Sequence, residues 1–593
     1  MLLWTTGLSA LALLMGMAKA GVVTLDWNIT YVMANPDGLF ERQVIGINGQ
    51  FPPPAIHVDL NDTLIIHAFN QLSEPTSLHA HGLFQTKNAQ MDGPAMVTQC
   101  PIPVGGNFTY VIPIEQHGTY WIHGHHKGHY VDGLRAPLII RNPQETYRYD
   151  GEYTLAFADW YHRQHKDLLK EFLSIFNPSG AEPVPQSGLI NQQSNTEFQF
   201  EAGKTYRLRI INMSALAMFH FYIDGHDVDI IEVDGVEVER RTVKTFPISA
   251  AQRYSVLVTA KNETSVNYYV HGDMDRGMFD QVPSDLDLKV QGKLIYNNST
   301  HMAPIETVEY WSSFDDGVEL VPVERQTTAP ADKQFVVTAA FALMDDYVNR
   351  AMFNEVTYVA PKVPSLYTAM SIGSEFANVS EVYGQYSNPM VVQSGDWVEI
   401  VINNDDKGTH PFHLHGHVFQ VVGRTTDGLF DPSASSYPYF ETTNPLRRDT
   451  VVVPAGTSVA IRFRATNPGV WFFHCHIEWH LEAGLAMTLV EAPEVMPSVL
   501  TVDPRHYEHC EVLGIPYRGN AAGHGGLDMT GANEGTVRLA PGRFKAKGVV
   551  ALVCTVVAAL MGLVAVVWYA QEDEDEAAEQ MRRARLQKAR DSE

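Results

Sequence analysis

Through most of the chain, apolar residues come in short runs that alternate with polar ones or cluster as β-branched side chains. Thr63–His67 (TLIIH), Tyr206–Ile211 (YRLRII), Tyr254–Val258 (YSVLV) and Val398–Ile402 (VEIVI) are examples, with Gly, Pro, Asn and Asp between them. That rhythm predicts many short strands folded as sandwiches or barrels. Helical periodicity is brief, over Lys166–Phe176. One run breaks the pattern: Gly548–Ala570 is 23 residues without a charge. As a helix rising about 1.5 Å per residue it reaches roughly 35 Å, enough to cross a hydrocarbon core. Trp568 and Tyr569 stand where interfacial aromatic anchors belong.

At the other end, Met1–Ala20 carries an apolar stretch closing on Ala18-Lys19-Ala20, the pattern of a cleaved secretory signal, although it lacks a positively charged start. Signal and span together predict a single-pass type I protein with residues 21–547 outside and a tail, 571–593, inside. Arg543, Lys545 and Lys547 before the span and Glu572–Glu576 after it run against the positive-inside rule. The signal overrides them, because large domains translocate regardless of flanking charge. N-x-S/T triplets at Asn28, Asn61, Asn107, Asn212, Asn262, Asn297, Asn298 and Asn378 fit a glycosylated exterior.

A strand, a polar loop and a His-rich strand end occur in the first 140 residues and again after Met390. The middle keeps the strand rhythm without the histidines. This predicts three related β-domains, 21–145, 146–300 and 333–515, with a linker at 301–332 and a flexible Gly- and Asn-rich stalk at 516–547 before the span at 548–570. A formal net charge of −26 argues against nucleic acid as a partner and favours cations. Four cysteines in 593 residues exclude a disulfide scaffold.

The 25 histidines are not scattered. About one His-x-His pair is expected by chance when such matches are counted. Five occur: His79/His81, His123/His125, His413/His415, His415/His417 and His474/His476. Residues i and i+2 of a strand share a face, so each pair turns two imidazoles to one side, and neutral imidazole suits Cu, Zn and Fe. Cys475 lies between His474 and His476, with His480 five residues on and His410 in the preceding His-rich segment. Two His and one Cys with a weak or absent axial ligand form the pattern of a blue copper electron-transfer site. Zinc also takes Cys and His, but it carries no electrons and needs no eight further histidines.

The segments LHAHG, WIHGH, HPFHLHGH and HCHIEWHLEAGL resemble the four copper-binding signatures of the multicopper oxidases, the family of laccases, ascorbate oxidases and fungal ferroxidases. The resemblance implies an all-β ectodomain of three cupredoxin-like domains and four copper ions. It places a type 1 copper on His410, Cys475 and His480, and a type 2 copper on His79 and His413. The type 3 pair falls to His81, His123, His125, His415, His474 and His476. The axial position of type 1 is filled by Leu485, which has no donor atom and should raise the potential relative to Met. Asp92 and Glu478 match carboxylates that supply protons as dioxygen becomes water, and Glu478 would also suit a role in fixing a ligand. Cys100 and Cys510 match the cysteines that staple the chain terminus to the first domain; Cys554 lies within the span.

The substrate is read from other acids. Glu182 in NPSGAEPVPQSG, Asp280 and Asp285 in MFDQVPSD, and Asp406 four residues before His410 resemble the yeast-type cell-surface ferroxidases of high-affinity iron uptake. There, acids at the positions of Glu182, Asp285 and Asp406 bind Fe(II). By that resemblance Fe(II) and O2 are substrates, an iron permease in the same membrane is a partner, and the plasma membrane is the address, with a vacuolar membrane as the alternative. A membrane-held laccase and a Cu(I)-oxidising protective protein are the other readings.

Overall fold

A computed structural model describes residues 20–309, 314, 316–431, 442–539 and 546–592. The signal reading, save for Ala20, falls outside the described residues, as do Arg543 and Lys545. Residues up to Arg538 and residues from Leu539 onward form two compact units.

Six sheets make up the first unit, in three successive pairs. Two four-stranded sheets are built between Val22 and Arg141, a six- and a five-stranded sheet between Gly151 and Ile295, and another six and five between Lys333 and Glu491. The all-β expectation holds. All four quoted apolar runs lie in strands: Thr63–Asn70, Thr205–Asn212, Arg253–Thr259 and Trp397–Asn404. In Thr63–Asn70 the alternation points Leu64, Ile66 and Ala68 into the core and leaves His67 in solvent. The internal repeat is visible as topology. In each pair the opening strand runs parallel to a later one, Val22–Ala34 to Thr63–Asn70, Gly151–Trp160 to Thr205–Asn212, and Lys333–Leu343 to Trp397–Asn404. The expected helix is present over His165–Phe172, ending in an irregular turn at Leu173.

Cys100 and Cys510 form a disulfide, with Cα atoms 5.4 Å apart across 410 residues of sequence. Helix Arg505–Leu513 is thereby fastened to the first sheet pair. The flexible stalk needs correction. Residues 516–538 lie along the third sheet pair, where the Ala521 N–H donates to the Val382 carbonyl, Asn533 to the Ala360 carbonyl, and Asp345 to the Val537 carbonyl. Asn520 is fully buried and organises the turn, donating to the Gly526 and Asp528 carbonyls. Its Gly and Asn content serves tight turns with positive φ at Gly519, Gly523, Gly526 and Gly531 rather than disorder. Of the sequons, Asn212 is corrected too: it is buried, its amide spent on the Ala217 and Ile248 carbonyls.

Among its described residues the second unit contains one helix, Ala546–Arg590, whose 45 residues include the whole uncharged run. It is long and apolar enough to cross a membrane. The helix continues through the charged tail, where Arg583 and Glu579 pair at 2.9 Å.

Candidate metal centre

Strand Gly469–Cys475 runs through the centre of its sheet and delivers His474 and Cys475; helix Glu478–Glu482 follows at once and carries His480. Its neighbour His410–Leu414 sets Phe412 opposite Cys475, which brings His410 beside the thiol. Nδ1 of His480 lies 3.5 Å and Nδ1 of His410 lies 3.8 Å from Cys475 Sγ, and the two nitrogens are 3.0 Å apart. All three side chains are buried. Burial would raise the thiol, but the two imidazoles bring it down to about 7, while His480, despite burial, is held up at about 10 by Cys475 and Glu182. These three groups form a preassembled S,N,N site. Leu485 is buried and its carbonyl accepts from the Cys475 N–H, on the adjacent strand position. Met487 pairs across from Phe473 instead, two positions further along the strand.

The outer edges of the same imidazoles carry carboxylates. His480 Nε2 donates to Glu182 at 2.8 Å and His410 Nε2 to Asp406 at 3.1 Å. Glu182 and Asp406 are 21% and 27% exposed, so each joins a buried ring to solvent. Burial opposes ionisation of both acids, but the histidine hydrogen bonds prevail and hold them below the usual carboxylate range. Phe341 lies against both rings, 5.6 Å from His410 and 4.9 Å from His480. Asp280 and Asp285 are placed differently: both are exposed and make no hydrogen bond or ion pair among the described residues. Their neighbours Phe279 and Leu286 point into the core, which turns the acids outward.

Eight further histidines converge between the first and third sheet pairs. His79 faces His123 across one pair of strands, and His413 faces His474 across another. The sets His79/His413/His415, His79/His81/His123 and His125/His415/His474 each bring their ligand atoms within 4.8 Å of one another. His476 completes the group, with ring centres 5.0 Å from His81 and 5.5 Å from His123.

One ring nitrogen of most of these residues is anchored by the protein. Nδ1 is fixed on the Asp92 carbonyl for His79, the Gly124 carbonyl for His123, the Asp449 carbonyl for His413, the Cys475 carbonyl for His474 and the Asp92 carboxylate for His415. His81 is anchored through Nε2 on the Asp449 carboxylate at 3.2 Å. The opposite nitrogens of His79, His81, His123 and His413, and both of His476, are buried without a hydrogen-bond partner. Leaving a buried acceptor unmet costs roughly 1–3 kcal/mol each, so this many converging lone pairs fit a metal cluster and little else. Burial first, and neighbouring imidazoles second, push His81, His123, His125, His415 and His476 well below their ordinary range and His474 to about 3. Neutral, pre-oriented imidazoles are the form a soft-to-borderline metal requires.

Among the described residues four acids adjoin the cluster, of which Asp92, Glu478 and Asp449 are buried and Glu482 is partly buried. Asp92 holds His415 at 2.8 Å. Glu478, whose carboxyl burial and then neighbouring Glu482 push well upward, lines a cavity of about 250 Å³ with His123, His125, His474 and His476. Glu482 lines it too, raised to about 7 by burial, and was not foreseen. Nor was Asp449, which carries no motif. It lies 368 residues from His81 in sequence, and only the fold shows the contact.

Three stretches, 28–145, 151–294 and 358–495, match the multicopper oxidase family. The chain is 43% identical to the iron multicopper oxidase fer1 of Mycosarcoma maydis, over 95% of each chain. It is 38% identical to the iron transport multicopper oxidase FET3 of Saccharomyces cerevisiae, over 96% of this chain and 91% of the relative. The crystal structure of Fet3p, described as a multicopper oxidase that functions in iron import, superposes with a TM-score of 0.84 at 38% identity, covering 88% of this chain and all of the other. A laccase from Botrytis aclada gives 0.72 at 29% identity, covering 83% and 92%.

Proposed function

The chain belongs to the multicopper oxidase family, and on that footing we propose that it is a membrane-anchored ferroxidase, oxidising four Fe(II) in turn and reducing O2 to two waters. His410, Cys475 and His480 would hold one copper, His79 and His413 a second, and His81, His123, His125, His415, His474 and His476 a further pair, four in all. When bound, copper supplies one-electron storage and the centre for dioxygen reduction.

The carrying observation is the pair of hydrogen bonds from His480 to Glu182 and from His410 to Asp406. Each imidazole is a bridge, with Nε2 on a partly exposed carboxylate and Nδ1 facing Cys475. Iron held on the Glu182 and Asp406 oxygens has a hydrogen-bonded route for its electron to the thiolate. Hard anionic oxygens favour Fe(III) over Fe(II), so they also lower the iron's potential. Asp285 and Asp280, exposed and unpaired among the described residues, are proposed as further carboxylates for the approaching cation. From Cys475 the chain continues covalently to His474 and His476, a short bonded path to the eight-histidine cluster. Glu478 holds a proton beside that cluster and Asp92 orients His415, roles suited to a reaction that consumes four protons.

Helix Ala546–Arg590 supports an anchor. We place the protein in the plasma membrane as a single-pass type I chain with the oxidase outside, passing Fe(III) to an iron permease in the same membrane. Steady-state rates with Fe(II), a phenol and Cu(I) test the assignment: kcat/KM should be highest for Fe(II). A higher value for the phenol would make it a laccase, and for Cu(I) a copper-protective oxidase.

A further inference from the structure

Arg253 belongs to the middle sheet pair, which contributes no candidate copper ligand, yet its guanidinium reaches the edge of the eight-histidine cluster. It is completely buried. NH1 and NH2 grip the Asp449 carboxylate at 2.8 and 2.6 Å, Nε donates to the Thr119 carbonyl at 3.0 Å, and NH1 also reaches the Ala251 carbonyl at 3.1 Å. Every nitrogen of the fork is engaged, so its position is fixed by all three sheet pairs at once.

Asp449 passes that fixation on. Its Oδ1 accepts from His81 Nε2 at 3.2 Å and from the Thr450 hydroxyl at 2.8 Å, and its backbone carbonyl accepts from His413 Nδ1 at 2.9 Å. His81 and His413 stack with ring centres 3.8 Å apart. Space for the ion pair is made by the glycine after His81. A Cβ at Gly82, where φ is +89°, would stand 2.6 Å from Arg253 NH2 and 2.7 Å from Asp449 Oδ2. The glycine of the LHAHG segment is therefore required here by close approach.

We propose that Arg253 is a positioning residue for the cluster: by fixing Asp449 it makes His81 present Nδ1, and His413 Nε2, to the metal. The inference rests on the copper-ligand assignment above. A plain ionic staple between sheet pairs is the competing explanation, and Asp234 separates the two. It accepts from the Arg253 backbone N–H at 2.8 Å and from Arg448 Nε at 2.9 Å, and pairs with Arg253 NH1 only at 3.5 Å, in the same buried network but without touching a cluster histidine.

The test uses full-length, copper-loaded protein in detergent. Arg253→Lys keeps the charge and loses the fork. Its type 2 electron paramagnetic resonance signal should change or vanish, its blue type 1 absorption should persist, and kcat for Fe(II) should fall roughly 10–100-fold with KM unchanged. Asp234→Asn should leave the type 2 signal as in the parent. Should Arg253→Lys not fold, near-isosteric Asp449→Asn carries the test and should show the same spectral change. An unaltered type 2 signal in the folded Arg253 or Asp449 variant overturns the proposal, as does an equal change in Asp234→Asn. A parent protein with blue absorption and no type 2 signal would instead overturn the ligand assignment, and this inference with it.

Discussion

At the scale of single residues, burial and hydrogen bonding decide what each side chain can do. Glu478 and Glu482 keep protons that exposed glutamates would lose. Because their folded pKa values lie above the unfolded value of 4.5, reaching about 7 for Glu482, the folded state binds more protons than the unfolded one. That stability is complete below about pH 4.5 and is lost as pH rises through about 7. Chemical denaturation of Glu478→Gln/Glu482→Gln across this window should show a flatter slope than the parent; equal slopes would contradict the assignment. Leu485 offers a second check. Leu485→Met adds a donor beside Cys475 and should lower the type 1 potential in a redox titration, whereas an unchanged potential would place position 485 outside the site. His-x-His pairs were legible because strand periodicity is local. Asp449 and Arg253 were not, because a carboxylate in RRDT and an arginine opening a strand look like any others until the fold brings Asp449 to His81 and Arg253 to Asp449.

Secondary-structure elements show the same division. The strands were readable from alternation, since each side chain answers to the face it occupies. Residues 516–538 were misread, because Gly and Asn suit both disorder and a chain of tight turns, and only the burial of the Asn520 side chain distinguishes them. The Asn520 amide and carbonyl make four hydrogen bonds, to the Gly526 and Asp528 carbonyls and from the Ala522 and His524 N–H groups. Asn520→Ala should cost about 1–3 kcal/mol, read as a lower denaturation midpoint. An unchanged midpoint would show that this strap contributes nothing to the fold.

For the whole molecule, the candidate copper ligands come from the first and third sheet pairs, while the second supplies Arg253 and the loop that carries Glu182. The middle of the chain, blank in any search for ligand motifs, thus reaches both centres. The helix Ala546–Arg590 is long and apolar enough to serve as the proposed membrane anchor. A chain ending at Leu539 should be released in soluble form and oxidise Fe(II) at the parental kcat, yet fail to support cellular iron uptake. Uptake at the parental rate would show that the anchor is not needed to hand over Fe(III).

In the proposed ferroxidase, Glu182 and Asp406 direct electrons from iron rather than from organic reductants. The kcat/KM ratio of Fe(II) to a phenol, measured on copper-loaded Glu182→Ala/Asp406→Ala beside the parent, tests it most directly. Fe(II) turnover should fall roughly 10–100-fold while phenol turnover is kept or rises. Undiminished Fe(II) turnover with reduced phenol turnover would contradict it.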